Sequence, residues 1–105
     1  MDVQLRRGLL EVCVLAALKQ HDSYGYQIIR EIAPFVGISE STLYPILRRL
    51  EAGRLLTVYS VAHNGRLRKY YRITSAGMAR LEEFEEDWKE MTNIRRFISE
   101  GGKLG

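Results

Sequence analysis

The residues of this chain that could do chemistry are hydroxyl side chains near residue 42 and cationic side chains near residue 67. Hydroxyl groups can hydrogen-bond the edges of DNA bases, while arginine and lysine neutralise backbone phosphates. Residues 61–72 hold four basic side chains and no acidic one. This combination predicts contact with nucleic acid. The candidate hydroxyls belong to Ser41, Thr42 and Tyr44, and the candidate cationic tip comprises Asn64, Arg66, Arg68 and Lys69.

The candidate hydroxyls fall on a short predicted helix that begins at Ser39 or Ser41. Leucine and isoleucine recur along it at i, i+3, i+4 and i+7, which gives the helix one buried face. Gly53 is expected to end it in a left-handed conformation. The polar side of the helix also carries Arg48 and Arg49, each of which fits a solvated helix face as well as a DNA contact.

The candidate cations fall on a predicted β-hairpin. Apolar strands at 55–62 and 67–73 flank Asn64-Gly65, a strong short-range hairpin signal. With a two-residue loop, His63 pairs with Arg66, and this register fixes which side chains face the core. The core-side residues are Leu56, Val58, Tyr71 and Ile73. An ordinary solvated hairpin is the alternative, since lysine on strands also discourages edge pairing.

Two further helices precede these elements and complete a helix-turn-helix. The first, at 5–20, is apolar on nearly all sides, which is more than a surface helix needs. The second, at 24–33, is expected to be capped by Asp22 or Ser23. The turn that joins it to the third helix is expected to bury Phe35, Val36 or Ile38.

A long helix predicted at 74–98 carries a narrow apolar seam, with no following element to cover it. Because the first helix also has more apolar surface than one core can use, the two helices together predict a homodimer. Trp88 in the seam is either a packing anchor or one wall of a cavity for a flat aromatic ligand. The predicted dimerisation residues are Leu9, Phe84, Trp88 and Met91, and the predicted effector-binding residues are Val12, Leu15 and Trp88.

Composition and charge distribution restrict the class of protein. Residues 1–73 hold eleven basic and six acidic side chains, whereas residues 74–105 hold five and seven. One part of the molecule therefore suits a polyanion. No stretch is long and apolar enough for a membrane helix and no signal-peptide pattern opens the chain, which predicts a cytoplasmic protein with no membrane partner. The lone Cys13 rules out an internal disulfide and is expected to be a buried reduced thiol.

Catalytic, metal and cofactor chemistry find no support in the sequence. His21-Asp22-Ser23 contains the residue types of a hydrolytic triad, but three adjacent residues cannot aim their side chains into one relay. Two histidines 42 positions apart, with one cysteine, do not have metal-ligand spacing. No glycine-rich phosphate loop is present. The expectation is a protein that is not an enzyme and that uses neither a metal nor a cofactor.

Several short segments follow one another in a recognisable order between residue 5 and about residue 90. They are Leu5-Arg6-Arg7-Gly8, Ser23-Tyr24-Gly25-Tyr26, Ser41-Thr42-Leu43-Tyr44-Pro45, Arg49-Leu50-Glu51, Arg68-Lys69-Tyr70-Tyr71-Arg72-Ile73-Thr74 and Gly77. In this order and spacing they resemble the PadR family of prokaryotic transcriptional regulators. The single long helix after the hairpin is similar to the short subfamily.

The resemblance implies a homodimeric repressor of an inverted-repeat operator in double-stranded DNA. It implies that Tyr24 approaches DNA together with the third helix and the 64–69 hairpin tip. It also implies that a small planar aromatic effector can lie beside a tryptophan at a position like Trp88, although such a tryptophan does not by itself promise drug binding. Family members respond to different signals, so the resemblance identifies neither the effector nor the operator.

The predicted fold is mainly α, a winged helix-turn-helix with a two-stranded β wing and a long C-terminal dimerisation helix. Residues 1–73 are the predicted DNA-binding domain, 74–98 the dimerisation helix and 99–105 a flexible tail. The alternative function is a winged-helix module whose seam or acidic face at 82–87 recruits a protein without reading DNA.

Overall fold

The computed structural model describes residues 1–101. Its elements are, in chain order, α1 (Val3–Gln20), α2 (Gly25–Ile32), α3 (Glu40–Ala52), β1 (Leu56–His63), β2 (Arg66–Ile73) and α4 (Ser75–Ser99). This is the predicted mainly α winged helix-turn-helix, with β1 and β2 as the wing. Of the tail predicted at 99–105, Ser99 ends α4, and residues 102–105 lie outside the described part of the chain.

Polar side chains begin three of the four helices. Asp2, Ser39 and Thr74 each accept a hydrogen bond from a backbone N–H in the first turn of α1, α3 and α4, at 3.0, 3.3 and 3.1 Å, which satisfies one of the unpaired amides there. The cap of α2 is Tyr24, whose side chain makes no capping bond. The prediction that Asp22 or Ser23 caps α2 is therefore wrong.

Both residues are held by other bonds: Asp22 bonds to the wing through its carboxylate and Ser23 through its backbone, while the Ser23 hydroxyl donates to Gln27 Oε1 at 3.1 Å. The Asp22 carboxylate accepts a hydrogen bond from the Tyr59 hydroxyl. The backbone of Ser23 exchanges two hydrogen bonds with Tyr71, of 3.1 and 2.7 Å, so that this segment adds a single bridge to the edge of β2. The α1–α2 connection is thereby attached to the hairpin.

The end of α3 also differs from the prediction. Gly53 has a φ of −81°, and the left-handed residue is Arg54, at φ +61°. The N–H of Leu55 donates to the Leu50 carbonyl and that of Arg54 to the Glu51 carbonyl, both at 2.9 Å, which is the bonding pattern of a Schellman motif. The expectation for Gly53 was wrong because the stop comes one residue later.

The core lies between α1, α2, α3 and the inner face of the wing. Leu43, Ile46, Leu47 and Leu50 form the predicted buried face of α3, and each is at most 2% exposed. In the turn before α3, Val36 and Ile38 are partly buried against the core, whereas Phe35 is 89% exposed. The turn is therefore held against the core by Val36 and Ile38 and not by Phe35.

The hairpin has the predicted register. His63 pairs with Arg66 and Val58 with Tyr71, and both residues of the turn, Asn64 and Gly65, have positive φ, as a two-residue loop of type I′ requires. Leu56 and Tyr71 are buried, and Val58 and Ile73 pack against the core, which confirms the predicted core-side face.

The last helix covers the core only at its beginning. Leu81 is buried and Phe84 is half-buried, but from Glu85 to Ser99 every side chain is exposed. The exposed set includes the apolar residues Trp88, Met91, Ile94, Phe97 and Ile98. Within residues 1–101, none of the helices has the length and apolar character needed to cross a membrane.

Candidate nucleic-acid interface

A concave surface of about 550 Å³ lies between the start of α2, the middle of α3 and the wing. We call it the reading groove. It is lined by tyrosines and cations, namely Tyr24, Gly25, Tyr26, Tyr44, Arg68, Lys69 and Tyr71. Four of the predicted DNA-binding residues, Tyr24, Tyr44, Arg68 and Lys69, thus meet in one place although they come from three different elements.

Tyr44 reaches the start of α2 because residue 25 has no side chain. A Cβ atom at Gly25 would lie 2.5 Å from the Tyr44 hydroxyl oxygen and 3.0 Å from the ring carbon that bears it. The ring therefore lies against the backbone of α2, with 37% of the residue exposed. The Tyr71 ring forms part of the floor, and burial raises the pKa of its hydroxyl.

The outward face of α3 is narrower than the sequence indicated. At 100° per residue, Ser41, Pro45 and Arg48 lie near its centre, with Tyr44 at the margin toward the wing and Thr42 at the margin toward α1. Ser41 and Thr42 are exposed, and their hydroxyls lie 2.9 and 3.2 Å from that of the helix cap. The predicted base-reading hydroxyls are accessible, but Thr42 points away from the reading groove.

The two arginines of α3 have different surroundings. Arg49 donates from Nε to a carboxylate oxygen of Glu11 at 3.1 Å, which attaches α3 to α1. Arg48 is exposed on the outward face. Of the two residues that the sequence left equivalent, Arg48 is the one placed toward an approaching partner.

The wing presents its cations on two faces. Because side chains alternate along a strand, Arg66, Arg68 and Arg72 share the outer face, while Lys69 lies on the inner side toward Tyr44. Arg66 and Asn64 are exposed at the tip. The predicted cationic tip is therefore not one patch: Arg68 and Lys69 reach the reading groove from opposite faces of the same strand.

The outer face of the wing carries an arrangement that the sequence did not reveal, and we call it the outer-face lattice. The Tyr59 and Tyr70 rings stack at 5.7 Å, and Tyr70 meets the Tyr24 ring edge-on at 5.5 Å. The Arg68 guanidinium lies 4.1 Å above the Tyr24 ring, and that of Arg72 lies 5.1 Å from the Tyr59 ring. The available signal was the cross-strand pairing of Tyr59 with Tyr70.

The lattice ends at a carboxylate. Asp22 accepts hydrogen bonds from the Tyr59 hydroxyl at 2.6 Å and from Arg72 Nε at 2.9 Å. The bond to Asp22 raises the pKa of the Tyr59 hydroxyl, because it stabilises the protonated phenol. Sequence reasoning missed Asp22 because its partners lie 37 and 50 positions away.

The predicted dimerisation and effector residues lie on the opposite side of the molecule. Leu9, Val12, Phe84 and Trp88 line an apolar groove of about 490 Å³ between α1 and α4. The Phe84 and Trp88 rings stack at 6.1 Å, and Trp88 is 53% exposed. Met91 lines the adjoining groove along the same two helices.

Leu15 does not belong to this surface. It is 1% exposed, because it lies on the stripe of α1 that faces the core, whereas the groove is lined by the stripe at 9, 12, 13 and 16. The prediction of Leu15 as an effector-binding residue is therefore wrong. Cys13 on the groove stripe is half-buried, and burial raises the pKa of its thiol.

Known proteins resemble this chain along most of its length. The transcriptional regulator PadR-like family matches residues 14–83. Transcriptional regulator Rv3488 of Mycobacterium tuberculosis is 32% identical over 89 residues, which cover 84% of this chain and 83% of that protein. A crystal structure of a PadR family transcriptional regulator from Eggerthella lenta superposes with a TM-score of 0.83 at 35% identity, covering 93% of this chain and 88% of the other.

A fourth similarity concerns the fold alone. Bacillus subtilis PadR in complex with operator DNA superposes with a TM-score of 0.68 at 23% identity, covering 72% of this chain and 45% of that one.

Proposed function

This chain belongs to the PadR-like family of transcriptional regulators, and we propose that it is a homodimeric repressor that binds an inverted-repeat operator in double-stranded DNA. The observation that carries the proposal is the reading groove, where tyrosines and cations from α2, α3 and the wing converge. A protein of the same fold bound to operator DNA supports it.

The outward face of α3 is the part that reads sequence. A major groove about 12 Å wide accepts one helix, and side chains near the start of that helix or along its outward face can reach base edges. Ser41 and Arg48 occupy the centre of that face. Direct base contact is therefore proposed for Ser41 and Arg48, with Thr42 at the edge of the contact.

The reading groove holds a stretch of phosphate backbone beside α3. Arg68 and Lys69 supply positive charge from the two faces of the wing, and the Tyr24 and Tyr44 hydroxyls supply hydrogen-bond donors. These contacts give affinity and register without sequence information. Arg66 and Asn64, at the wing tip, extend the same backbone contact away from α3.

Dimerisation places two such heads on one operator. The exposed seam of α4 and the groove side of α1 are the proposed contact between copies, involving Leu9, Phe84, Trp88 and Met91. Two half-sites read by a symmetric dimer lie about 34 Å apart or a multiple of it. Residues 1–73 then form the reading head and α4 the connection.

The cavity beside Trp88 and Val12 is the proposed site of a small aromatic effector. An effector that binds better to one arrangement of the two heads shifts the dimer toward that arrangement. Release of the operator follows when the favoured arrangement no longer matches the spacing of the half-sites.

The direct test is a gel shift with an inverted repeat from the promoter of the chain's own gene, repeated over a salt series. We expect affinity to fall with a log–log slope of about −0.9 for each phosphate contacted. Arg68→Glu and Tyr44→Ala should weaken binding to all DNA sequences, whereas Arg48→Ala should also reduce the preference for the repeat.

The matched control is Glu86→Gln, on the acidic face of α4, where Glu86 pairs with Lys89 at 3.2 Å. A DNA-binding regulator should tolerate this change. If specific DNA binding is absent, or is insensitive to both salt and Arg68→Glu, the proposal is wrong. If Glu86→Gln instead abolishes binding to a protein partner, the interaction-module alternative is favoured.

A further inference from the structure

We propose that Asp22, Tyr59 and Arg72 are positioning residues for DNA binding: through the outer-face lattice they fix the Tyr24 ring and, on it, the Arg68 guanidinium. None of the three lines the reading groove. The inference rests on the proposed DNA-binding function and deepens it, because it assigns a role to side chains that do not themselves face the DNA.

Asp22 is the fixed end of the arrangement. One of its carboxylate oxygens accepts from Tyr59 on β1 at 2.6 Å and from Arg72 on β2 at 2.9 Å. Its side chain is 26% exposed, so water competes only partly for that oxygen. Since Asp22 lies between α1 and α2, its two bonds connect the helix-turn-helix to both strands of the wing.

From Asp22 the contacts run toward the DNA side without a gap. Tyr59 stacks on Tyr70 with 19° between the ring planes, and Tyr70 packs against the Tyr24 ring. The Arg68 guanidinium lies over that Tyr24 ring, 4.1 Å from its centre. A guanidinium stacked on an aromatic face keeps its edge N–H groups available to donate to phosphate. The direction of those N–H groups is thus set by the orientation of Tyr24.

The negative charge of Asp22 lets the direction of a change in operator affinity test the proposal. Removing a negative charge near a surface that binds a polyanion strengthens binding if only long-range electrostatics matter. If Asp22 instead holds the lattice, the same change releases Tyr59 and Arg72, and Arg68 loses its fixed direction. The two mechanisms predict opposite effects of Asp22→Asn on operator affinity.

The experiment measures operator affinity of the full chain by fluorescence anisotropy over a salt series for Asp22→Asn, Arg68→Ala and the double variant. We expect Asp22→Asn to weaken binding roughly three- to tenfold and to reduce the salt slope by about one, as Arg68→Ala does. In the double variant, Asp22→Asn should add little to Arg68→Ala, because both changes remove the same contact, the one between Arg68 and phosphate. Glu86→Gln is the control carboxylate and should leave both affinity and slope unchanged.

Tyr59→Phe separates positioning from folding. It keeps the stacked ring and removes only the hydroxyl, so the variant should show the wild-type circular dichroism spectrum at the assay temperature and still bind the operator more weakly. Unchanged or tighter binding by both Asp22→Asn and Tyr59→Phe, in a chain whose Arg68→Ala variant is weakened, overturns the inference. The same holds if the effects of Asp22→Asn and Arg68→Ala simply add. A wild-type chain without specific DNA binding refutes the proposed function itself, which is a different result.

Discussion

Replacing Gly25 with alanine should damage DNA binding while leaving the fold intact. The new Cβ would lie 2.5 Å from the Tyr44 hydroxyl oxygen, whereas ordinary contact begins at 3.4 Å, so the hydroxyl must move by about 0.9 Å. That oxygen is the end of a flexible and partly exposed side chain. The ring can therefore turn away, and alanine's higher helix propensity, up to about 1 kcal/mol inside a helix, offsets part of the cost.

The loss should appear in affinity. A hydrogen bond from the Tyr44 hydroxyl to a phosphate is charge-assisted and contributes about 1.5–3 kcal/mol, so each half-site should weaken roughly ten- to hundredfold. Fluorescence anisotropy with operator DNA measures the affinity, and a thermal melt checks the fold. Tyr44→Phe serves as the matched control, because Gly25→Ala should add little to it if both act through the same hydroxyl.

Two results would refute this reasoning. The first is a Gly25→Ala protein that binds the operator as tightly as the wild type, since the Tyr44 hydroxyl would then not need its present place. The second is a large drop in melting temperature, because the steric conflict would then be carried by the backbone of α2 and not by the Tyr44 side chain.

Gly77→Ala should instead destabilise the fold, because its Cβ would meet the backbone carbonyl oxygen of Leu55. We expect the free energy of unfolding to fall by about 2 kcal/mol and the melting temperature by roughly 8–16 °C. An unchanged melting temperature would contradict this. Tyr59 should ionise at higher pH than a tyrosine in the unfolded chain, so its bond to Asp22 stabilises the fold below the unfolded pKa of about 10 and is lost as pH rises through the folded pKa. Ultraviolet titration should show that Asp22→Asn lowers this pKa, and an identical titration in both proteins would count against the bond. Trp88 is the one tryptophan of the chain and is 53% exposed, so its fluorescence should shift to shorter wavelength as the protein dimerises on concentration; no shift across the dimerisation range would exclude it from the interface.

Features encoded within a few neighbouring residues could be predicted from the sequence. The buried face of α3 follows from apolar spacing, and the hairpin register follows from Asn64-Gly65, because both depend on local geometry. The same reasoning failed at the cap of α2. Asp22 has the right chemistry for a cap, but its carboxylate accepts hydrogen bonds from residues 37 and 50 positions away instead. No local pattern reports that competition.

Part of the site was predictable in composition but not in arrangement. The cations of the wing were identified as a group, yet strand alternation divides Arg68 from Lys69, and only the folded chain shows that Arg68 rests on Tyr24. Leu15 shows a second limit of prediction from the sequence. On a helix that is apolar all round, sequence alone cannot tell the stripe that faces the core from the stripe that faces a groove.

Residues 22–25 determine the geometry of the reading surface more than their number suggests. Asp22 bonds to both strands of the wing, Ser23 pairs with the edge of β2, Tyr24 carries the Arg68 guanidinium, and Gly25 receives the Tyr44 ring. One short connection thus contacts both the wing and α3. That connection follows α1 directly, and α1 also lines the proposed dimer groove. A movement of α1 at the dimer contact therefore acts on the segment that contacts both Tyr44 of α3 and Arg68 of the wing.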